Sequence, residues 1–77
     1  MNNKQWNKLR EDFADRLSAL TEDIRNAQSA AQDYFDDRSE RWQESDKGSA
    51  FQEFIDSIET GADAVESAID ELPEFPD

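Results

Sequence analysis

The stretch from Trp6 to Trp42, WNKLREDFADRLSALTEDIRNAQSAAQDYFDDRSERW, decides the fold because it is long and lacks both glycine and proline. When Arg38 is counted as one position, its apolar and aromatic residues recur in ten steps that average about 3.6 residues, the period of a straight α-helix. We expect one helix over about 4-45; the alternative is a break near Thr21, which could cap a new helix. The apolar positions are Trp6, Leu9, Phe13, Leu17, Leu20, Ile24, Ala27, Ala31, Tyr34 and Trp42.

A turn follows this helix at Asp46-Lys47-Gly48-Ser49. Glycine suits a left-handed C-terminal cap, and Ser49 followed by Gln52 has the spacing of a capping box. We therefore predict a second helix over about 49-72, ended by Pro73, and a short C-terminal tail at 73-77. The apolar face of this helix carries Phe51, Phe54, Ile55, Ile58, Ala62, Val65, Ile69 and Leu72.

The two helices predict a single all-α domain over 1-77, an antiparallel helical hairpin with a long first helix. If the turn centres on Lys47 and Gly48, each residue of the first helix faces a residue of the second helix, and the two residue numbers of such a pair sum to about 96. Trp42 then meets Phe54 and Ile55, and Gly61 makes room for an aromatic ring of the first helix. The second helix ends opposite Ile24, so the apolar residues of the first helix that precede Ile24 have no partner within the hairpin.

The uncovered positions form an apolar stripe, for which three interpretations remain open. The stripe is the core of a homodimer that completes a helical bundle, part of a three-helix monomer, or an exposed docking face for another protein. A chain of 77 residues has little core of its own, which favours the homodimer. Two roles remain open for Trp6, a contact with the second copy of the chain or a contact with another protein. The stripe comprises Trp6, Leu9, Phe13, Leu17 and Leu20.

The composition argues against an enzyme. The chain contains no histidine, no cysteine and no glycine-rich phosphate loop, so most nucleophilic, metal-assisted and nucleotide-dependent mechanisms lack their residues. Carboxylate pairs such as Asp36 and Asp37 are interpreted as exposed acids, and we expect neither a cofactor nor a metal site. The polar N-terminus and the absence of a long apolar run predict a cytoplasmic protein, in the host cytoplasm if the chain is phage-encoded.

Charge is the most informative feature for function. The chain has 20 acidic and 8 basic residues, a net charge of -12, and every base lies at or before Lys47. Such a surface is repelled by nucleic acid and by anionic membrane, so we expect a basic protein as the partner. In the second helix six acids advance in steps of three or four residues and form an acidic stripe. The acidic stripe comprises Glu53, Asp56, Glu59, Asp63, Glu66 and Asp70.

A second set of acids lies near the end of the predicted first helix. Three explanations compete for this charge pattern: a generic acidic interaction module, adaptation to salt, and imitation of a nucleic-acid backbone by fixed carboxylates. The stripe has one charge per about 5 Å of helix, sparser than the 3.4 Å between phosphates of one strand, so a mimic needs a second row. The second set comprises Asp33, Asp36, Asp37, Glu40 and Glu44.

The segment from Asp37 to Gly48, DRSERWQESDKG, and the following Phe51-Gln52-Glu53-Phe54 resemble a stretch of short phage and plasmid proteins. Size, acidity and helical character also resemble the anti-CRISPR and anti-restriction inhibitors. This resemblance implies a non-enzymatic inhibitor whose acidic surface blocks a basic nucleic-acid-binding site of a bacterial defence complex. The alternative is an acidic coiled-coil-like adaptor that docks through the N-terminal apolar stripe.

Overall fold

The computed structural model describes residues 1–76 and consists of helices and their connections. Helix α1 spans Asn3–Asp36, the single-turn helix α2 spans Glu40–Gln43, and helix α3 spans Asp46–Asp70. Helices α1 and α3 pack antiparallel in a molecule that measures 60 × 16 × 12 Å. The predicted all-α hairpin with a long first helix is therefore confirmed, and no third long helix covers the apolar stripe in the part of the chain that the structure describes.

Helix α1 passes through Thr21 without a break. The Thr21 hydroxyl donates a hydrogen bond of 2.8 Å to the carbonyl of Leu17, one turn earlier in the same helix. The helix begins at a capping box, in which the Asn2 side chain accepts from the Gln5 amide and the Gln5 side chain accepts from the Asn2 amide. Threonine thus lies inside the helix with its hydroxyl satisfied locally, and the predicted alternative break is wrong.

Helix α1 ends at Asp36, earlier than the predicted end near residue 45, because two serines cap new helices. Ser39 accepts a hydrogen bond from the Trp42 amide, and Ser45 accepts one from the Gly48 amide. The Gln43 side-chain amide donates to the carbonyl of Phe35 at 3.0 Å and so satisfies an open end of α1. These local bonds place the turn over residues 37–45.

The predicted roles of both glycines and of the Ser49 cap are wrong. Ser49 lies within the first turn of α3, and Gly48 has an ordinary helical conformation without a positive φ. Gly48 is required for close packing, since an added Cβ would lie 2.6 Å from the carbonyl carbon of Gln43. Gly61 is exposed and has open space around it, so it accommodates no aromatic ring.

The contact between α1 and α3 follows alternating steps of three and four residues, the heptad spacing of 3.5 rather than the predicted 3.6. We call the residues at these positions the seam. Polar Thr21 and Gln28 belong to it, whereas the predicted Leu20, Ala27 and Tyr34 are exposed. The seam comprises Ala14, Leu17, Thr21, Ile24, Gln28, Ala31 and Phe35 of α1, and Gly48, Phe51, Ile55, Ile58, Ala62, Val65 and Ile69 of α3.

The early turn also changes the register of the hairpin. Arg25 bonds to Asp63, and the ring of Tyr34 lies 5.1 Å from that of Phe51, so the numbers of facing residues sum to about 88 rather than 96. The C-terminal end of α3 consequently extends further along α1 than expected. The Trp6 indole donates a hydrogen bond of 2.9 Å to the carbonyl of Pro73.

The apolar stripe is therefore only partly uncovered. Trp6, Phe13 and Leu17 are half-buried within the hairpin, whereas Leu9 and Leu20 remain exposed. The prediction that all five lack a partner in the chain is wrong, because it rested on the later turn.

Candidate partner-binding surfaces

The heptad pattern divides the surface of the hairpin into two flanks. With Ala14 and Ala62 at position a, the antiparallel arrangement brings the e positions of both helices together on one side of the seam and the g positions together on the other. Arg25 and Glu66 both occupy e positions, and their contact across the hairpin agrees with this assignment. The flank with the e positions is acidic, and the flank with the g positions is apolar.

The acidic flank is built on the acidic stripe of α3. All six residues of the stripe, from Glu53 to Asp70, are exposed. Asp56, Asp63 and Asp70 occupy b positions, and Glu59 and Glu66 occupy e positions, whereas Glu53 lies at an f position at the start of the row. The row extends for about 25 Å along the helix at 1.5 Å per residue. The sequence thus predicted correctly that these carboxylates share one exposed face.

Arg25 crosses the acidic flank and neutralises part of it. Its Nη2 atom lies 2.5 Å from Oε2 of Glu66 and 3.2 Å from Oδ1 of Asp63. The hydrogen bonds to Glu66 and Asp63 raise the pKa of the Arg25 guanidinium above its ordinary value. Sequence reasoning placed both acids in the stripe but missed this cation, because the bond depends on the register of the hairpin.

Helix α1 supplies further acids to the same flank. Glu11 occupies an e position, Asp15 and Glu22 occupy b positions, and all three are exposed. They were not among the predicted site residues, because a period of 3.6 gives no fixed relationship to α3. The heptad phase of Ala14, Leu17, Thr21 and Ile24 is the signal that would have found them.

The predicted second set of acids lies at the turn end of the molecule. All five of its residues are exposed, but the break in α1 distributes them over three local structures. Asp33 and Asp36 end α1, Asp37 caps it, and Glu40 and Glu44 belong to α2 and its C-terminal cap. Of these five residues only Asp36 occupies a b position, the heptad position that contributes to the acidic flank. The other four do not form one row with the stripe.

Aromatic side chains close the turn end of the hairpin. The ring of Trp42 lies 6.0 Å from that of Phe35 and 5.9 Å from that of Phe51, and Trp42 is half-buried. The Arg38 guanidinium lies 4.5 Å above the ring of Tyr34. Trp42 therefore packs as a core residue, as its sequence position suggested.

The apolar flank runs along the other side of the seam. Its α1 positions are Phe13, Leu20, Ala27 and Tyr34, and its α3 positions are Phe54, Gly61 and Ala68. Three large side chains protrude from it, with exposed fractions of 48% for Leu20, 48% for Tyr34 and 52% for Phe54. Between them lie the small Ala27 and Gly61, so the middle of the flank is shallow.

Comparisons of this chain with protein-family models, with curated proteins and with solved structures give no match. Over residues 1–76 the side chains form no group of three or more potential ligands that could hold a metal ion. In the same part of the chain, none of the helices combines the length and the apolar character needed to cross a membrane. The two flanks are thus the candidate partner-binding surfaces of the hairpin.

Proposed function

We propose that this protein is a non-enzymatic inhibitor that blocks a basic nucleic-acid-binding site with its acidic flank. The observation that carries the proposal is the exposure of all six stripe carboxylates along one face of α3. The sequence requires no such row for folding, since like charges three or four residues apart repel by a few tenths of a kcal/mol per pair. A basic partner would relieve this repulsion. The resemblance to phage-encoded inhibitors makes a bacterial defence complex the proposed target.

Glu11, Asp15 and Glu22 support the proposal because they add exposed charge from α1 beside the Asp70 end of the stripe, where a nucleic-acid mimic needs more than one row. Neighbouring stripe carboxylates are about 5 Å apart along α3, against 3.4 Å between phosphates of one strand, so one row alone is too sparse. The proposed mechanism is therefore competition that is both steric and electrostatic.

The test is a pull-down from a bacterial lysate on the immobilised protein, eluted with a salt gradient and separately with DNA. The variant Asp56→Asn, Glu59→Gln, Asp70→Asn removes three stripe charges and leaves the two partners of Arg25 in place. The matched control removes three exposed acids that lie off the acidic flank. The control variant is Asp23→Asn, Glu71→Gln, Glu74→Gln.

Both triple variants have a net charge of -9, since each removes three of the 12 excess negative charges of the chain. We expect a nucleic-acid-binding complex that DNA displaces and that elutes at moderate salt, because screening weakens contacts between exposed charges. The stripe variant should lose this complex and the control should retain it. A partner that resists salt, ignores DNA and binds both variants equally would contradict the proposal and favour the adaptor alternative. Binding of the adaptor type would depend on Leu9 and Leu20, the exposed members of the apolar stripe.

A further inference from the structure

We propose that the apolar flank is the interface with a second copy of this chain, forming an antiparallel four-helix bundle. This inference is independent of the proposed inhibitory function, since it concerns the other side of the seam. The interface centres on Ala27 and Gly61 and is bounded by Leu20, Tyr34 and Phe54.

The first argument is the small core of a single hairpin. The buried apolar residues are Ile55 and Ala62, and among the described residues no large side chain is fully buried. Two helices bury only one stripe each, so the remaining apolar side chains have nothing to pack against. The chain offers no cysteine for a disulfide, and its stabilisation therefore depends on packing.

The second argument is the accessible surface. One chain exposes 5999 Å², whereas a compact monomer of its mass would expose about 4,800 Å². The excess is about 1,200 Å² per chain, and two chains that bury it would form an interface of about 2,400 Å² in total. That area falls in the range of obligate homodimers, which begins at about 2,000 Å².

The third argument is the chemistry of the flank. The exposed α3 positions that border it, Ala50, Ser57 and Ala64, carry no charge, although the helix as a whole is strongly acidic. Small residues at the centre let two helices approach closely, and nothing lies within 4 Å of the site where a Gly61 Cβ would be. The α1 positions that border the flank include Arg16 and Asp23, whose charges cancel, so this is the side on which a chain of net charge -12 carries little net charge.

A two-fold axis through the middle of the flank satisfies these features. An isologous interface brings each residue near the axis close to its own copy, so Ala27 and Gly61 of both chains would surround the axis. The protruding Leu20, Tyr34 and Phe54 would pack around this shallow centre. Both acidic flanks would then face outward on opposite sides of the bundle.

The experiment is sedimentation equilibrium of the full chain over a range of concentrations, with two variants of equal charge. Gly61→Glu places a carboxylate at the centre of the apolar flank and replaces a poor helix former by a good one, so it should not unfold the hairpin. Ser67→Glu places the same charge at an exposed f position, away from both the seam and the flank. Circular dichroism of both variants reports whether the helices persist.

We expect the wild type and Ser67→Glu to sediment at twice the 8.9 kDa of one chain, and Gly61→Glu to sediment as a single chain. A wild type that stays monomeric at all concentrations would overturn the proposal. So would a Gly61→Glu variant that remains dimeric, since its copies would then associate through another surface.

Single cysteines give a second test, because the natural chain has none. Ala27→Cys, near the proposed axis, should form a disulfide between copies under mild oxidation, since a disulfide requires Cβ atoms about 4 Å apart. Ala19→Cys, at an exposed f position of the same helix, should remain reduced. Equal crosslinking of the two variants would contradict the assigned interface.

Discussion

Arg25 of α1 bonds to Glu66 of α3 across the hairpin, with Nη2 of the arginine 2.5 Å from Oε2 of the glutamate. The same guanidinium nitrogen also bonds to Oδ1 of Asp63 at 3.2 Å. The two helices contribute opposite charges at matching e positions, and this contact agrees with the register that the turn sets. It also places one cation beside the central carboxylates of the acidic flank.

Replacing Arg25 by glutamine should lower the melting temperature at low salt, because Asp63 and Glu66 lose the cation that joins them to α1. The difference from wild type should shrink as salt is added, since all three side chains are partly exposed and ions screen their attraction. Thermal unfolding followed by circular dichroism at two ionic strengths measures this. The control Arg16→Gln removes the Arg16–Asp12 pair, which lies within α1, and should have a smaller effect.

Replacing Gly61 by alanine should raise the free energy of unfolding by about 1 kcal/mol, the difference in helix propensity between the two residues. The site is exposed and has open space, so the added methyl meets no neighbour within the chain. Urea unfolding at low protein concentration measures the effect on the single hairpin. The converse change Ala64→Gly, at a nearby exposed position of α3, should lower the free energy of unfolding by a similar amount.

Replacing Gly48 by alanine should have the opposite effect and lower the free energy of unfolding by about 2 kcal/mol or more. The new Cβ would overlap the backbone carbonyl groups of Trp42 and Gln43, and backbone atoms cannot move aside as a flexible side chain can. Urea unfolding of this variant and of Ser49→Ala, an exposed neighbour in the same turn, gives the comparison. Equal stability of the two variants would mean that α2 does not pack against α3 as described.

Replacing Thr21 by valine should raise the free energy of unfolding by about 0.5 to 1 kcal/mol. The Thr21 hydroxyl bonds only to a carbonyl of its own helix, so its loss leaves no buried group without a partner. The new methyl faces the seam, where Thr21 is buried, and β-branched residues suit position a. Ser18→Ala, at an exposed position one turn earlier, serves as the control and should change stability little; a destabilised Thr21→Val would show that the hydroxyl supports the fold.

The end of α1 shows where reasoning from sequence reached its limit. The absence of glycine and proline before Lys47 predicted an uninterrupted helix, yet Ser39 and Ser45 cap separate helices. A serine side chain can accept a hydrogen bond from a backbone amide in place of a helix carbonyl. Whether it does so depends on whether the neighbouring backbone groups also find hydrogen-bond partners. Here the Gln43 side chain bonds to the carbonyls of Phe35 and Arg38, and these side-chain bonds within the turn were not evident from the sequence.

The sequence by itself determined the all-α hairpin, the antiparallel order and the shared exposed face of the acidic stripe. The helices and the shared face follow from periodicity within one helix, which local geometry fixes at about 1.5 Å and 100° per residue, and the antiparallel order follows from the short connection. Tertiary structure decided the register, the membership of Thr21 and Gln28 in the seam, and the position of Arg25 between two acids. These depend on where the chain turns, and a shift of the turn by a few residues changes which side chains of α1 and α3 face each other along the entire hairpin.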